Sequence, residues 1–62
     1  MKQISEIIQG NEDTLFSRVL EHLRIAEVSR RKIAEFEIHK NDPIDKLIEV
    51  SYRFLLEAGY YE

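Results

Sequence analysis

The segment from Asn11 to about His39 is the feature that most constrains the fold. It contains neither proline nor glycine, the residues that most often interrupt a helix. Its apolar residues recur at intervals of three and four, the spacing of an amphipathic helix. The sequence therefore predicts one long helix, with Asn11 as its N-cap. The predicted core stripe consists of Leu15, Phe16, Val19, Leu20, Leu23, Ala26, Ile33, Ala34 and Ile38.

A shorter helix is predicted on either side of this segment. Residues 2–9 place isoleucines at helical spacing and end at Gly10, which favours a short helix over the alternative of a short strand. Further along, Asp42 and Pro43 are typical of the N-cap and first position of a last helix, which Gly59 and Tyr60 are expected to end. Because the connection is short, this helix and the long one are expected to form an antiparallel hairpin. The fold class is all-α, in a single domain over residues 1–62.

Size and surface predict that the chain binds a partner. A domain of 62 residues buries only about 60% of its unfolded surface, and the chain has no cysteine for a disulfide. A second apolar stripe, on the other side of the long helix, is more than one such chain is expected to cover. We therefore predict a dimeric bundle or a protein partner of unknown identity. The predicted interface residues are Ile25, Val28, Phe36, Tyr52 and Leu56.

Charged residues interrupt the main stripe at three positions: Glu27, Arg30 and Glu37. An unpaired charge in a core costs several kcal/mol, so these side chains are expected to pair, within one chain or across a dimer. Such a buried polar layer can fix the register of packed helices. The alternative is that they reach out from the edge of the stripe, with their stems covering apolar surface.

Nucleic-acid binding is the alternative to protein binding. The net charge of -3 argues against a generally basic surface, but Arg24, Arg30, Arg31 and Lys32 form a local cluster. Because acids flank it and Arg30 falls near the core stripe, ion pairing on the helix surface is the favoured interpretation. The sequence predicts no tight turn followed by a recognition helix, so helix-turn-helix readout is not expected.

No constellation of residues predicts catalysis, a cofactor or a metal. His22 and His39 are too far apart on one helix to share an ion, and no glycine-rich phosphate loop is present. No apolar run is long enough for a signal peptide or a membrane span, so a cytoplasmic protein is expected. The predicted function is that of a small non-enzymatic regulator or adaptor that binds a protein and self-associates. A purely structural oligomerisation subunit is a further alternative.

Overall fold

The computed structural model describes residues 3–62, which form an all-α fold, as predicted. Its helices are α1 (Ile4–Ile8), α2 (Leu15–Ile25), α3 (Arg30–Glu37) and α4 (Ile44–Glu57), and a 3-10 turn over Glu12–Thr14 precedes α2. The described residues contain no strand, only an isolated bridge between Gln3 and Tyr61. The helical interpretation of residues 2–9 is therefore confirmed for α1, while Lys2 lies outside the described residues.

The prediction of one long helix is wrong, because the chain turns between α2 and α3. Glu27 adopts a left-handed backbone conformation with φ 60°. Its N–H donates to the carbonyl of Arg24 at 3.0 Å, and the N–H of Val28 donates to the carbonyl of Leu23 at 3.3 Å. This pair of bonds is a Schellman motif, which ends a helix. Ser29 then caps α3, since its hydroxyl accepts from the N–H of Lys32 at 3.2 Å.

The turn explains how one chain buries Phe36 together with the stripe of α2. In an unbroken helix Phe36 would point roughly 100° away from Val19, a completely buried residue of α2. After the turn α3 has a new orientation, and Phe36 is 0% exposed. Its ring stacks on Phe16 with centroids 5.0 Å apart and lies 5.4 Å from the ring of Phe54. The same reorientation leaves Ile38, predicted in the core, on the surface. Ala34, predicted beside it, is also exposed.

The core lies between α4 and the three helices that pack on it. The antiparallel hairpin was predicted between the long helix and the last one. Because the long helix is divided, that prediction now concerns only α3 and α4, which the short connection joins. The end of α4 agrees with the sequence: Gly59 has φ 104°, and the N–H of Tyr60 donates to the carbonyl of Leu55 at 3.1 Å. The buried apolar residues are Ile4, Ile7, Leu15, Val19, Leu23, Phe36, Leu47, Val50, Leu55 and Tyr60.

The start of α4 differs from the prediction for Asp42 and Pro43. The helix begins at Ile44, preceded by Pro43 in an extended conformation, and no side chain caps it. The carboxylate of Asp42 lies instead against His39, with Oδ2 2.7 Å from Nδ1. Asp42 therefore stabilises the turn between α3 and α4 rather than the first turn of α4.

Arg18 joins α1 to α2 through its guanidinium group. The group donates to carbonyl oxygens at the end of α1 and in the following loop, and a cation at this end of a helix also favours the helix dipole. The acceptors are the carbonyls of Ile7 at 3.2 Å, Ile8 at 3.2 Å, Gln9 at 3.2 Å and Asn11 at 2.7 Å, together with the hydroxyl of Thr14. Asn11 is the predicted N-cap, and its Oδ1 accepts from the N–H of Asp13 at 2.8 Å.

Replacing Glu27 by glycine should stabilise the fold. A side chain in the left-handed region costs about 1 kcal/mol, and glycine removes that cost. We expect Glu27→Gly to raise the free energy of unfolding by about this amount in urea denaturation. The control is Glu21→Gly, at an exposed position within α2, which should lower the free energy of unfolding by about 1 kcal/mol. A loss of stability in both variants would contradict the assigned turn.

Replacing Arg18 by methionine should destabilise the fold while keeping most of the apolar stem. Hydrogen bonds to a charged group contribute about 1.5–3 kcal/mol, so Arg18→Met should lose stability in this range. Arg24→Met is the matched control, because Arg24 is exposed on the same helix and makes no ion pair within residues 3–62. Equal thermal unfolding midpoints for the two variants would show that the Arg18 bonds do not hold α1 in place.

Candidate nucleic-acid interface

The outer face of α3 is the most distinctive polar surface of the fold. Ile33 and Phe36 point from α3 into the core. The opposite side of the helix carries Arg31 in its first turn and Ala34 one turn later, and Arg30 lies on the flank between them and Ile33, all three exposed. Because the turn at residues 26–29 ends just before Arg30, the basic residues stand at the exposed N-terminal end of the helix.

A shallow groove runs between the end of α2 and α3. Val28 and Ile33 supply its apolar lining, Arg24 and Arg30 supply guanidinium groups, and Glu37 also lines it. Neither arginine has an ion-pair partner among residues 3–62. Two guanidinium groups are therefore available to an acidic ligand at this groove.

The rest of the predicted basic cluster has partners. Arg31 Nε lies 3.6 Å from Glu35 Oε2, with the arginine side chain largely exposed. Lys32 Nζ lies 2.7 Å from Glu57 Oε1 on α4 and 5.7 Å from the centre of the Phe54 ring. The hydrogen bond to Glu57 is the main cause that raises the pKa of Lys32. Lys32 therefore links α3 to α4 through an ion pair. The side chains of Arg24, Arg30 and Arg31 are exposed to solvent instead.

The single chain does not build the predicted buried polar layer. Glu27, Arg30 and Glu37 are all exposed. The reason is again the turn, because Glu27 forms part of it and α3 starts in a new orientation beyond it. With Arg30 on the surface, one of the two arguments against a nucleic-acid patch no longer holds, whereas the ion pairs of Arg31 and Lys32 agree with the other, the pairing of the cluster with nearby acids. The tight turn followed by a second helix, which the sequence did not predict, is also present.

The five predicted interface residues separate into three groups. Phe36 is in the core of the same chain, and Val28 is half-buried against that core. Ile25 is 65% exposed, but it stands apart from both. Tyr52 and Leu56, by contrast, lie on one exposed side of α4. The predicted stripe of Ile25, Val28 and Phe36 therefore does not exist as a continuous surface.

The apolar surface that does exist is a row along α4. Ile48, Tyr52 and Leu56 follow one another at intervals of four residues, with exposed fractions of 37%, 36% and 47%. We call these three residues the α4 row. The Tyr52 hydroxyl donates to the carboxylate of Glu62, which satisfies its polar end. The sequence predicts Ile48 on the core face of the last helix, but the side chain is exposed and lies on the same side of the helix as Tyr52.

The two histidines take part in local packing. His22 Nδ1 lies 2.7 Å from the carbonyl oxygen of Arg18, and its ring meets Tyr60 edge-on. His39 contacts Asp42, as described above, and the edge of Phe54. Within residues 3–62 no three histidine or acidic side chains come together in a group that could hold a metal ion. Over the same residues, no helix has the length and apolar character needed to cross a bilayer.

No protein family, curated protein or solved structure matches this chain. The function must therefore be argued from the surfaces themselves. Two of them are unusual for a fold of this size: the outer face of α3 with its neighbouring groove, and the α4 row.

Proposed function

We propose that this chain is a small non-enzymatic regulator that binds duplex DNA through α2, the turn at residues 26–29 and α3. Two helices joined by a turn of three or four residues, often containing glycine, are the arrangement of the helix-turn-helix motif. Here Glu27 occupies the left-handed position that glycine commonly takes. In that motif the second helix enters the major groove, and its N-terminal residues contact the bases.

The observation that carries the proposal is the placement of Arg30 and Arg31. Both are exposed in the first turn of α3, the part of a recognition helix that reaches base edges. An arginine donates two hydrogen bonds to one guanine, the commonest specific contact in the major groove. Ala34, one turn later on the same side, is small enough to let the helix backbone approach the groove closely. Arg24 at the end of α2 would contact a phosphate.

The charge of the chain sets the strength of this interaction. With a net charge of -3 and with Glu27 and Glu37 beside the arginines, the surface attracts phosphates only locally. Binding to DNA of arbitrary sequence should therefore be weak, since that binding depends on neutralising many phosphates. Affinity must come from a small number of contacts at a preferred sequence. A search for DNA binding should accordingly start at low salt.

We expect the chain to enrich a preferred sequence from a pool of random DNA duplexes at low ionic strength. Affinity for that duplex, measured by fluorescence anisotropy, should fall about tenfold or more in Arg30→Ala, because one bidentate base contact contributes about 1–3 kcal/mol. Arg24→Ala should weaken binding to all duplexes alike. It should also reduce the slope of log affinity against log salt by about one.

Lys46→Ala is the control, because Lys46 is an exposed basic residue on α4, outside both α3 and the α4 row, and makes no ion pair within residues 3–62. It should bind as tightly as the unmodified chain. If no sequence is enriched at low salt, or if Lys46→Ala and Arg30→Ala lose affinity equally, α3 is not a recognition helix.

Protein binding is the second candidate function, and the α4 row is the observation that favours it. Apolar residues spaced by four along an exposed helix can pack against the groove or helix of another protein. The apolar stripe predicted on the long helix gives this function less support, because Phe36 is in the core of the chain itself. Under this proposal a partner that co-purifies with the chain would be lost in Leu56→Lys and kept in Arg30→Ala.

A further inference from the structure

We propose that the α4 row is the surface on which a second copy of this chain docks. The two α4 helices would pair antiparallel across a two-fold axis that passes beside Tyr52. The proposal does not depend on DNA binding, since it concerns a different helix and a different side of the fold. It replaces the dimer surface that the sequence predicted around Val28 and Phe36.

The row is complementary to itself in an antiparallel pair. Ile48 and Leu56 lie four residues before and after Tyr52, so a two-fold axis at Tyr52 places Ile48 of one copy opposite Leu56 of the other. Tyr52 then faces its own counterpart. A two-fold interface requires this property, because the same patch must fit itself. The row is already exposed, so docking needs no rearrangement of the core.

Charges beside the row favour the same partner. Glu49 and Arg53 follow its outer edge, three residues before and one residue after Tyr52. At about 1.5 Å per residue, the two-fold axis brings Glu49 of one copy and Arg53 of the other onto the same edge, offset by only about 3 Å along the helices. Within one chain the pair is loose, with Arg53 Nη2 3.9 Å from Glu49 Oε1 and both side chains about two-thirds exposed. Both groups can therefore turn toward the second copy.

Docking at the row leaves α3 uncovered. Phe54 and Glu57 mark the side of α4 that packs against α3, since Phe54 contacts Phe36 and Glu57 contacts Lys32. At about 100° per residue, these two positions lie roughly 140–200° around the helix from Tyr52. A dimer formed through the row would thus keep both α3 outer faces accessible, as binding to two DNA half-sites requires.

Sedimentation equilibrium over a concentration series tests the surface. The unmodified chain should show a reversible monomer–dimer equilibrium, and Leu56→Lys should raise the dimer dissociation constant about tenfold or more. Ile25→Lys is the matched control, because Ile25 is also an exposed apolar residue in the last turn of its helix. A lysine there suits the helix dipole in both variants, so both should unfold at similar temperatures.

Cysteine cross-linking tests the antiparallel arrangement, and the chain has no cysteine of its own to interfere. On oxidation, Tyr52→Cys should form a covalent dimer rapidly, because the two-fold axis brings this position close to itself. Ile48→Cys and Leu56→Cys should each cross-link no faster than Ile25→Cys, whereas an equimolar mixture of Ile48→Cys and Leu56→Cys should form the mixed dimer.

Three results would overturn the proposal. The first is a chain that remains monomeric at every concentration. The second is a dimer that Ile25→Lys weakens as much as Leu56→Lys does. The third is self-cross-linking of Ile48→Cys as fast as that of Tyr52→Cys, which would indicate parallel helices. None of these results bears on the duplex-binding measurement with Arg30→Ala, so failure of the dimer and failure of DNA binding are distinguishable.

Discussion

The left-handed residue at Glu27 is the constraint on which the rest of the structure depends. A continuous helix from residue 11 to 39 would be roughly 40 Å long, whereas the longest dimension of the fold is 25 Å. By ending α2 and allowing α3 to start in another direction, the turn brings Phe36 onto the same core as Phe16. The burial of that large ring offsets the backbone cost of a non-glycine residue in this conformation.

Local signals in the sequence predicted local structure correctly. The isoleucines before Gly10 form α1, Asn11 caps the turn that leads into α2, and Gly59 with Tyr60 ends α4. Each of these features depends on residues within about one turn of one another, so composition and spacing are sufficient to predict it. Helical periodicity also identified the core residues contributed by α2, because burial follows the face of a helix.

The division of the long helix could not be predicted in this way, because glutamate gives no local signal for a left-handed turn. Two indirect signals were present: Ser29 is a good N-cap residue, and Phe36 does not fit the stripe of α2. The same division determined where the candidate site residues lie in the fold. Arg30 was placed near the core by extending the phase of α2 through the turn, and its actual position outside changed the favoured function. Asp42 was misassigned for another reason, since His39 competes for its carboxylate.

The bond between the N–H of Ile4 and the carbonyl of Tyr61, 2.8 Å long, has a consequence for the order of folding. It joins the first described helix to the segment beyond the last one, so this contact of α1 spans nearly all of the described chain. Contacts of such large sequence separation slow folding, because the intervening chain must first be ordered. Until the segment at Tyr61 has docked, α1 lacks this bond, and its apolar face is more open to other apolar surfaces.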